Sequence, residues 1–443
     1  MSQTIVPTAP GGGAPAGGLD GSAAGPPART LRATLASASA ALEHALAGSP
    51  GRLRIVSMIA VLAAVITAVG GGAALRERSA GLSSASKASA HLVLLQAVQT
   101  KLVQADADAT NSFLSFGLEP PSQQLDYIAS IRAASQDLTL AAGASAADAQ
   151  ALGPANAALT RYTGYVASAR ANNLQGLAVG ASYLTTARQL LTDKIVPQLN
   201  LRSKADQHTI ISAYSRAHHA SWWLALVALL GVGGLIWAQI YVARHSRRIL
   251  NLPLAASTAG LLVALIVAVA TMAIAQSKAD SVHDGAMAQA DALSRSRVAA
   301  FNAKSIESLT LIRRGTGTPA DQAWADPMKK ATSALPRADS AAAAALAGYA
   351  VQHRAIRALD NKGDWQGARI KAVAPTKSSA NAQFTAYAQQ TEKALTQQAN
   401  ATTSGLSTAR RGLLPAGILV LIVGLLAAMG AWWGISLRLD EYR

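Results

Sequence analysis

The residues best suited to recognition chemistry sit in three polar turns: Gly117-Leu118-Glu119-Pro120-Pro121, Asn172-Asn173-Leu174-Gln175-Gly176 and Asp360-Asn361-Lys362-Gly363-Asp364-Trp365-Gln366-Gly367. Glycine takes left-handed backbone conformations and proline cannot continue a helical ladder, so Gly117, Pro120 and Gly176 read as helix stops. Around them Glu119, Asn172, Asn173, Gln175 and Asp364 offer hydrogen-bonding groups. Trp365 offers the large amphipathic surface that anchors protein interfaces. Such a set is suited to binding another protein. The competing reading is that the glycines and prolines only shape turns and that Trp365 packs on its own helices.

Reactive constellations are not seen in the sequence. The eight histidines are scattered, and the adjacent His218 and His219 point to different sides of a helix without an acidic partner at helical spacing. With no cysteine there is no disulfide framework, thiolate nucleophile or Cys-ligated metal. No Gly-x-Ser-x-Gly elbow, phosphate-binding Gly-rich loop or kinase signature occurs, and Gly315-Thr316-Gly317 is too short to signify a nucleotide site. The expectation is therefore a protein that is not an enzyme and has no cofactor and no metal. The formal charge of +16 invites a nucleic-acid reading. Both signs of charge are spread along the chain, however, and no basic stripe is interleaved with aromatics, so a basic surface beside anionic lipid is expected and no nucleic-acid partner.

The elements that must position the turns are long and apolar. Residues 55–75, 221–243, 252–275 and 412–437 are each long enough to cross a bilayer as a helix, and none contains Asp, Glu, Lys or Arg. Hydrophobic residues make up 51% of the chain, much of it alanine, and aromatics only 5%, which suits closely packed helices. The fold expected is an all-α membrane protein: four transmembrane helices and two tandem extracytoplasmic four-helix bundles. The division runs 1–28, a disordered cytoplasmic tail rich in Gly, Ala and Pro; 29–54, a cytoplasmic juxtamembrane helix; the span 55–75; bundle one, 76–220; the span 221–243; a cytoplasmic loop, 244–251; the span 252–275; bundle two, 276–411; the span 412–437; and a cytoplasmic tail, 438–443. Arg244, Arg247 and Arg248 in the short loop, with Arg52, Arg54 and Arg438 at the outer ends of the array, place both termini in the cytoplasm by the positive-inside rule. Both bundles then lie outside. The only segments reaching the cytosol are the two tails and the loop, so Arg244, Arg247 and Arg248 are the expected output.

Within each bundle the apolar rhythm predicts four helices. In the first, Leu95, Val98, Leu102, Ala105, Ala109 and Phe113 carry helix one out of the span. Helix two runs from about Ser122 to Ala142. Helix three starts near Ser145, with Gly153-Pro154 as a kink or restart. Helix four carries Leu184, Leu191, Ile195 and Leu199 into the second span, with a kink at Pro197. The second bundle breaks at Arg314–Pro319, at Pro336–Ser340 and at Asp360–Gly367, and a last long helix enters span four. Local echoes between the halves point to duplication. In an up-down-up-down bundle the turns after helices one and three share the far end, so Gly117–Pro121 and Asn172–Gly176 form one tip, and Gly315–Pro319 and Asp360–Gly367 the other. Gly430-Ala431-Trp432-Trp433-Gly434 has the small-xxx-small pattern of packed membrane helices, and a homo-oligomer is compatible with the sequence. Transport is not expected, since the spans hold only isolated Ser, Thr and Gln239.

The Gly117–Pro121 turn and the stretch Ala169–Leu184, set in a four-span tandem plan, resemble a family of actinobacterial membrane proteins. These act as partners of a glutamine-binding-type lipoprotein that senses external aspartate and glutamate. The resemblance implies a relay from that extracytoplasmic solute-binding lipoprotein to a cytoplasmic serine/threonine protein kinase of the G type, across the lipid bilayer. Two other readings stand beside it. One is a direct small-molecule sensor like the four-helix ligand domains of chemoreceptors, with Arg161 and Arg170 gripping a carboxylate. The other is a structural protein of the envelope.

Overall fold

The computed structural model describes residues 49–115, 121–246, 251–314, 318–374, 376 and 379–440. All regular elements among them are helical: α1 (Ser49–Ser112), α2 (Pro121–Ala142), α3 (Ala146–Leu174), α4 (Val179–Leu190), α5 (Val196–Ser246), α6 (Leu252–Ser281), α7 (Ala288–Ile312), α8 (Thr318–Ala334), α9 (Ser340–Asn361), α10 (Trp365–Val373), α11 (Ala380–Arg410) and α12 (Leu413–Asp440). The expected tail 1–28 and most of the expected juxtamembrane helix lie outside the described residues. Ser49–Arg54, assigned to that helix from the sequence, are the first residues of α1.

Four helices are long and apolar enough to cross a membrane: Gly51–Ser112, Val179–Arg244, Leu252–Ile312 and Ala380–Leu437. Each runs well past its apolar segment. Alanine, leucine and serine carry the ladder across residues 75 and 76 with no stop signal between them, so α1 continues for 64 residues, about 95 Å at 1.5 Å per residue.

The apolar segments pack on one another through small residues. Ala60 and Ala64 of α1, Leu235 and Ala238 of α5, Leu261 and Ala268 of α6, and Val420 and Ala431 of α12 share one buried core. The Gly430 and Gly434 pair is used inside this bundle. A methyl group at Gly434 would press on Pro253 of α6 and on Asn251 just before it, and the Asn251 Nδ2 donates to the Gly434 carbonyl at 2.7 Å. Gln239 Nε2 donates to the Leu254 carbonyl at 3.1 Å and to Thr258 Oγ1 at 2.7 Å, fastening α5 to α6. The outward faces present Trp223, Leu229, Ile266, Leu426 and Trp432, an apolar belt suited to lipid.

Beyond this bundle the remaining helices share a second core. Leu95, Leu102, Leu138, Leu159, Tyr162, Leu184 and Leu199 come from the first half of the chain and Phe301, Leu346, Tyr349, Ile356, Phe384 and Tyr387 from the second, in one continuous cluster. The joint is the α1–α7 pair. Gln96 meets Asp291 and Thr110 meets Ser305 at the same offset, and Ser89 meets Met287 just ahead of α7, so the two helices run parallel.

Local chemistry sets the breaks. Ser145 caps α3, its hydroxyl accepting from the Asp148 N–H at 3.1 Å. Pro154 lies inside α3 without restarting it. Ahead of Pro197 the ladder slips into a π-helical turn, Leu191–Ile195, in which the Val196 N–H reaches back to the Leu191 carbonyl. A second π turn, Val282–Met287, joins α6 to α7. The last helix of the second half is not one piece: the chain breaks again after Val373, and Ser379 caps α11, accepting from Ala382 N–H at 3.1 Å. Pro375 and Ser379, read together as stop and cap, carried that signal.

Candidate functional site

Of the predicted tip residues, Gly117, Glu119 and Pro120 lie outside the described residues, as do Gly315–Gly317. Asn172, Asn173, Gln175 and Gly176 form the end of α3. Gly176 takes φ +69, its N–H bonds to the Asn173 carbonyl at 3.0 Å, and the Leu177 N–H reaches the Asn172 carbonyl at 2.9 Å. This pair of bonds closes a helix C-terminus around a left-handed glycine. Asn172 Nδ2 is spent on the Ser168 carbonyl of its own helix at 2.8 Å, while Asn173 and Gln175 are exposed.

The end of α9 repeats the motif. Gly363 takes φ +84, its N–H bonds to the Asp360 carbonyl at 3.0 Å, and the Asp364 N–H to the Leu359 carbonyl at 3.0 Å. Asp364 then caps α10, its carboxylate accepting from the Gly367 N–H at 2.8 Å. Trp365 is therefore the first residue of a helix and not a loop residue. Its indole N–H donates to the Leu311 carbonyl at 2.6 Å, a carbonyl at the end of α7 that also accepts the Arg314 N–H at 3.2 Å. Arg314 and Arg369 lie over its ring at 4.5 and 5.2 Å. Arg313 donates to Thr185 Oγ1 of α4, so the far ends of the two halves adjoin.

The tip also carries apolar side chains that sequence reasoning passed over. Leu174, Leu177 and Val179 are 61%, 48% and 46% exposed, close together around the Gly176 turn. Their signal was in plain view: three aliphatic residues in a turn, where polar side chains are the norm.

Two buried ionic clusters were likewise missed. In the first half, His91 of α1 bonds through Nδ1 to Asp206 of α5 at 2.6 Å and through Nε2 to the Ala141 carbonyl at 3.0 Å. Arg202 pairs with Asp148 and, at 3.1 Å, with Asp206. The hydrogen bond to Asp206 raises the His91 pKa above its ordinary value, outweighing burial. In the second half, Glu307 accepts from Lys304 Nζ at 2.7 Å and lies 2.6 Å from His353 Nδ1, and Trp324 stacks on His353 at 3.7 Å. Burial pushes the Glu307 carboxyl up, but Lys304 and His353 more than offset it and draw its pKa down to about 2. His91 stands one turn before Leu95 on the apolar face of α1, which was the available signal. For Glu307, beside the charged Lys304, the sequence offered none.

A third polar cluster occupies the seam between the halves. Arg188 of α4 pairs with Asp106 of α1 and donates to Ser305 and Asn302 of α7. The Ser305 hydroxyl donates to Asp106 Oδ2 at 2.6 Å. Lys101 of α1 pairs with Glu392 of α11, which also lies 3.6 Å from Arg297. Among the described residues no group of three or more His, Asp or Glu is arranged to hold a metal ion. Arg161 and Arg170 are not brought together: Arg161 is exposed, whereas Arg170 lies over the Tyr127 ring at 4.2 Å. Arg244 is exposed at the end of α5, and Arg247 and Arg248 lie outside the described residues.

Residues 81–215 match a family model described as an actinobacterial sensor domain. The match begins within α1, ends within α5, and contains His91, Asp106, Arg188, Asp206 and the Gly176 turn. No curated protein matches the chain, and no solved structure matches it.

Proposed function

We propose that this chain is a transmembrane signal-relay receptor. In this reading both helical halves are extracytoplasmic and arose by duplication, an extracytoplasmic solute-binding lipoprotein docks at their far end, and the state of that partner passes through the helices to a cytoplasmic serine/threonine kinase. The sensor-domain match supports the sensing role. The observation that carries the mechanical part is that each apolar segment passes into the outer core with no more than a π turn or the two-residue turn at Arg411–Gly412 between helices. A displacement at the far end is then delivered to the opposite face of the bundle, since packed helices shift as rigid units. Leu174, Leu177 and Val179, beside Asn173 and Gln175, supply the apolar centre and polar rim of a docking surface. The identity of the signal, external aspartate or glutamate, rests on the family resemblance alone.

Deleting the gene tests the relay. Adding aspartate or glutamate to intact cells should change phosphorylation of the kinase's cytoplasmic targets only when this chain is present. An equal response in the deletion strain overturns the reading.

A further inference from the structure

A cavity of about 880 Å³ opens along the seam between the halves. Its walls come from α1, α4, the Leu191–Ile195 π turn, α5, α7 and α8, so neither half builds it alone. Two backbone irregularities border it: the π turn contributes Leu191 and Thr192, and Pro327, inside α8, contributes the opposite wall. π-helical turns inside otherwise regular helices are frequent at functional sites. Clefts between structural units are also the commonest places for small ligands.

The lining has a definite chemistry. Asp106 is 1% exposed and its charge is answered by Arg188, yet its Oδ1 is buried with no hydrogen-bond donor. A buried carboxylate oxygen without a donor is costly, and Oδ1, closed to solvent in this packing, takes a donor from the cavity only when the Asp106 side chain or its cover shifts. Lys204 of α5 and Lys330 of α8, both solvent-exposed, border the same space. Gln99, Asn200 and Asn302 add amide groups. Among the described residues no aromatic side chain lines the cavity, which removes the stacking surface that nucleobases and sugars ordinarily use. A second, more apolar cavity of about 400 Å³, with Leu92, Ile210 and Met287, adjoins it through the shared residues Gln96, Gln207 and Asp291.

We propose that this inter-half cleft is a binding site for a small organic carboxylate that also carries a hydrogen-bond donor, in chemical class an amino acid or a hydroxy acid. Lys204 and Lys330 receive the carboxylate oxygens, and Asp106 Oδ1 receives the ammonium or hydroxyl. A ligand held there touches both halves at the α1–α7 joint and so favours one packing of the halves over another. The relay needs no ligand on this chain, so the two ideas stand or fall separately.

The test uses the full chain in lipid nanodiscs at fixed ionic strength. Melting temperature and calorimetric heat are followed during titration with glutamate, malate, succinate or inorganic phosphate, with sodium chloride as the blank. Glutamate or malate should give a saturable rise in melting temperature. Lys204→Gln combined with Lys330→Gln should weaken that binding at least tenfold, whereas Lys393→Gln, an exposed lysine outside the cleft, should leave it unchanged. Succinate binding as tightly as malate overturns the role of Asp106, and a response to phosphate alone overturns the carboxylate class. No saturable response to any probe, or an undiminished one in the double variant, overturns the site. If the double variant fails to fold, Asn200→Ala and Gln99→Ala replace it and must lower affinity for the proposal to stand.

Discussion

The Ser305 hydroxyl donates to Asp106 Oδ2 at 2.6 Å, a bond between the two parallel helices that join the halves. Arg188 closes on the same carboxylate from α4. Removing the charge of Asp106 leaves Arg188, which is 15% exposed and borders the cleft, without its counter-ion. Breaking such a pair from one side costs about 3–5 kcal/mol. Asp106→Asn should therefore lower the melting temperature of the full chain in nanodiscs by several degrees. Arg188→Met in the same background should recover part of the loss. A single Asp106→Asn variant as stable as the parent would show that this pair does not hold the halves together.

The two buried histidine clusters give stability opposite pH limits. The bond to Asp206 raises the His91 pKa above 6.5. A group with a raised folded pKa contributes fully below its unfolded value and loses that contribution as pH rises through the folded one. Glu307 behaves in the opposite sense. Lys304 and His353 draw its carboxyl from 4.5 to about 2, so its contribution is present above about pH 4.5 and is lost as pH falls toward 2. Melting temperature plotted from pH 3 to pH 9 should fall at both ends. His91→Gln should flatten the alkaline limb, and Glu307→Gln the acid limb. Each variant should itself cost a few kcal/mol, because it strands a buried partner. An alkaline limb that survives in His91→Gln would assign the decline to another group.

Much of the helical plan was legible because its signals are local. Ser145 as a cap, Gly176 as a left-handed stop and Pro197 as a disturbance all appear where the residue types placed them, Pro197 through the π turn just ahead of it. Gly176 and Gly363 end α3 and α9 by the same pair of bonds. Tyr162 and Tyr349, each fully buried, stand at the same distance before them, which gives the short sequence echoes a structural counterpart. What the sequence hid depends on packing between distant segments. The shared core of the two halves, the Asp106–Arg188–Ser305 seam and the Glu307–His353 pair join residues on different helices, and no periodicity within one helix shows which face meets which. Trp365 was misread for a related reason: its partner, the Leu311 carbonyl, belongs to another helix end.

Topology is open to direct measurement. The arginines at Arg244, Arg247 and Arg248 lead us to place the far ends of the helices outside the cell. Ala144 and Ala338 are exposed in the turns nearest the apolar bundle on that side, and Leu252 is exposed beside the short loop. Ala144→Cys and Ala338→Cys should react with an impermeant maleimide in intact cells, and Leu252→Cys only after the cells are opened. The chain has no cysteine of its own, so the background is clean. Labelling in the reverse order would invert the orientation and place the tip residues in the cytosol.

Docking at the far end makes a different demand on each tip residue, and the structure separates them. Trp365 spends its N–H on Leu311 and its ring faces on Arg314 and Arg369, and Asn172 spends its amide on Ser168. Leu174, Leu177 and Val179 leave their side chains exposed. If a protein partner binds here, the aliphatic group supplies the larger share, because apolar groups removed from water at the centre of an interface dominate its energy. Leu174→Ser, Leu177→Ser and Val179→Ser together should weaken binding of the purified solute-binding lipoprotein by about 2–4 kcal/mol, roughly 30- to 1000-fold, with melting temperature nearly unchanged. Trp365→Ala should instead lower melting temperature, because it unties α10 from the end of α7, and its effect on binding should follow that loss of order. Surface plasmon resonance on nanodisc-held chain, paired with melting curves, reads both quantities. Partner affinity untouched by the triple aliphatic variant would take the Gly176 turn out of the interface and turn attention to the flanks of α2 and α3.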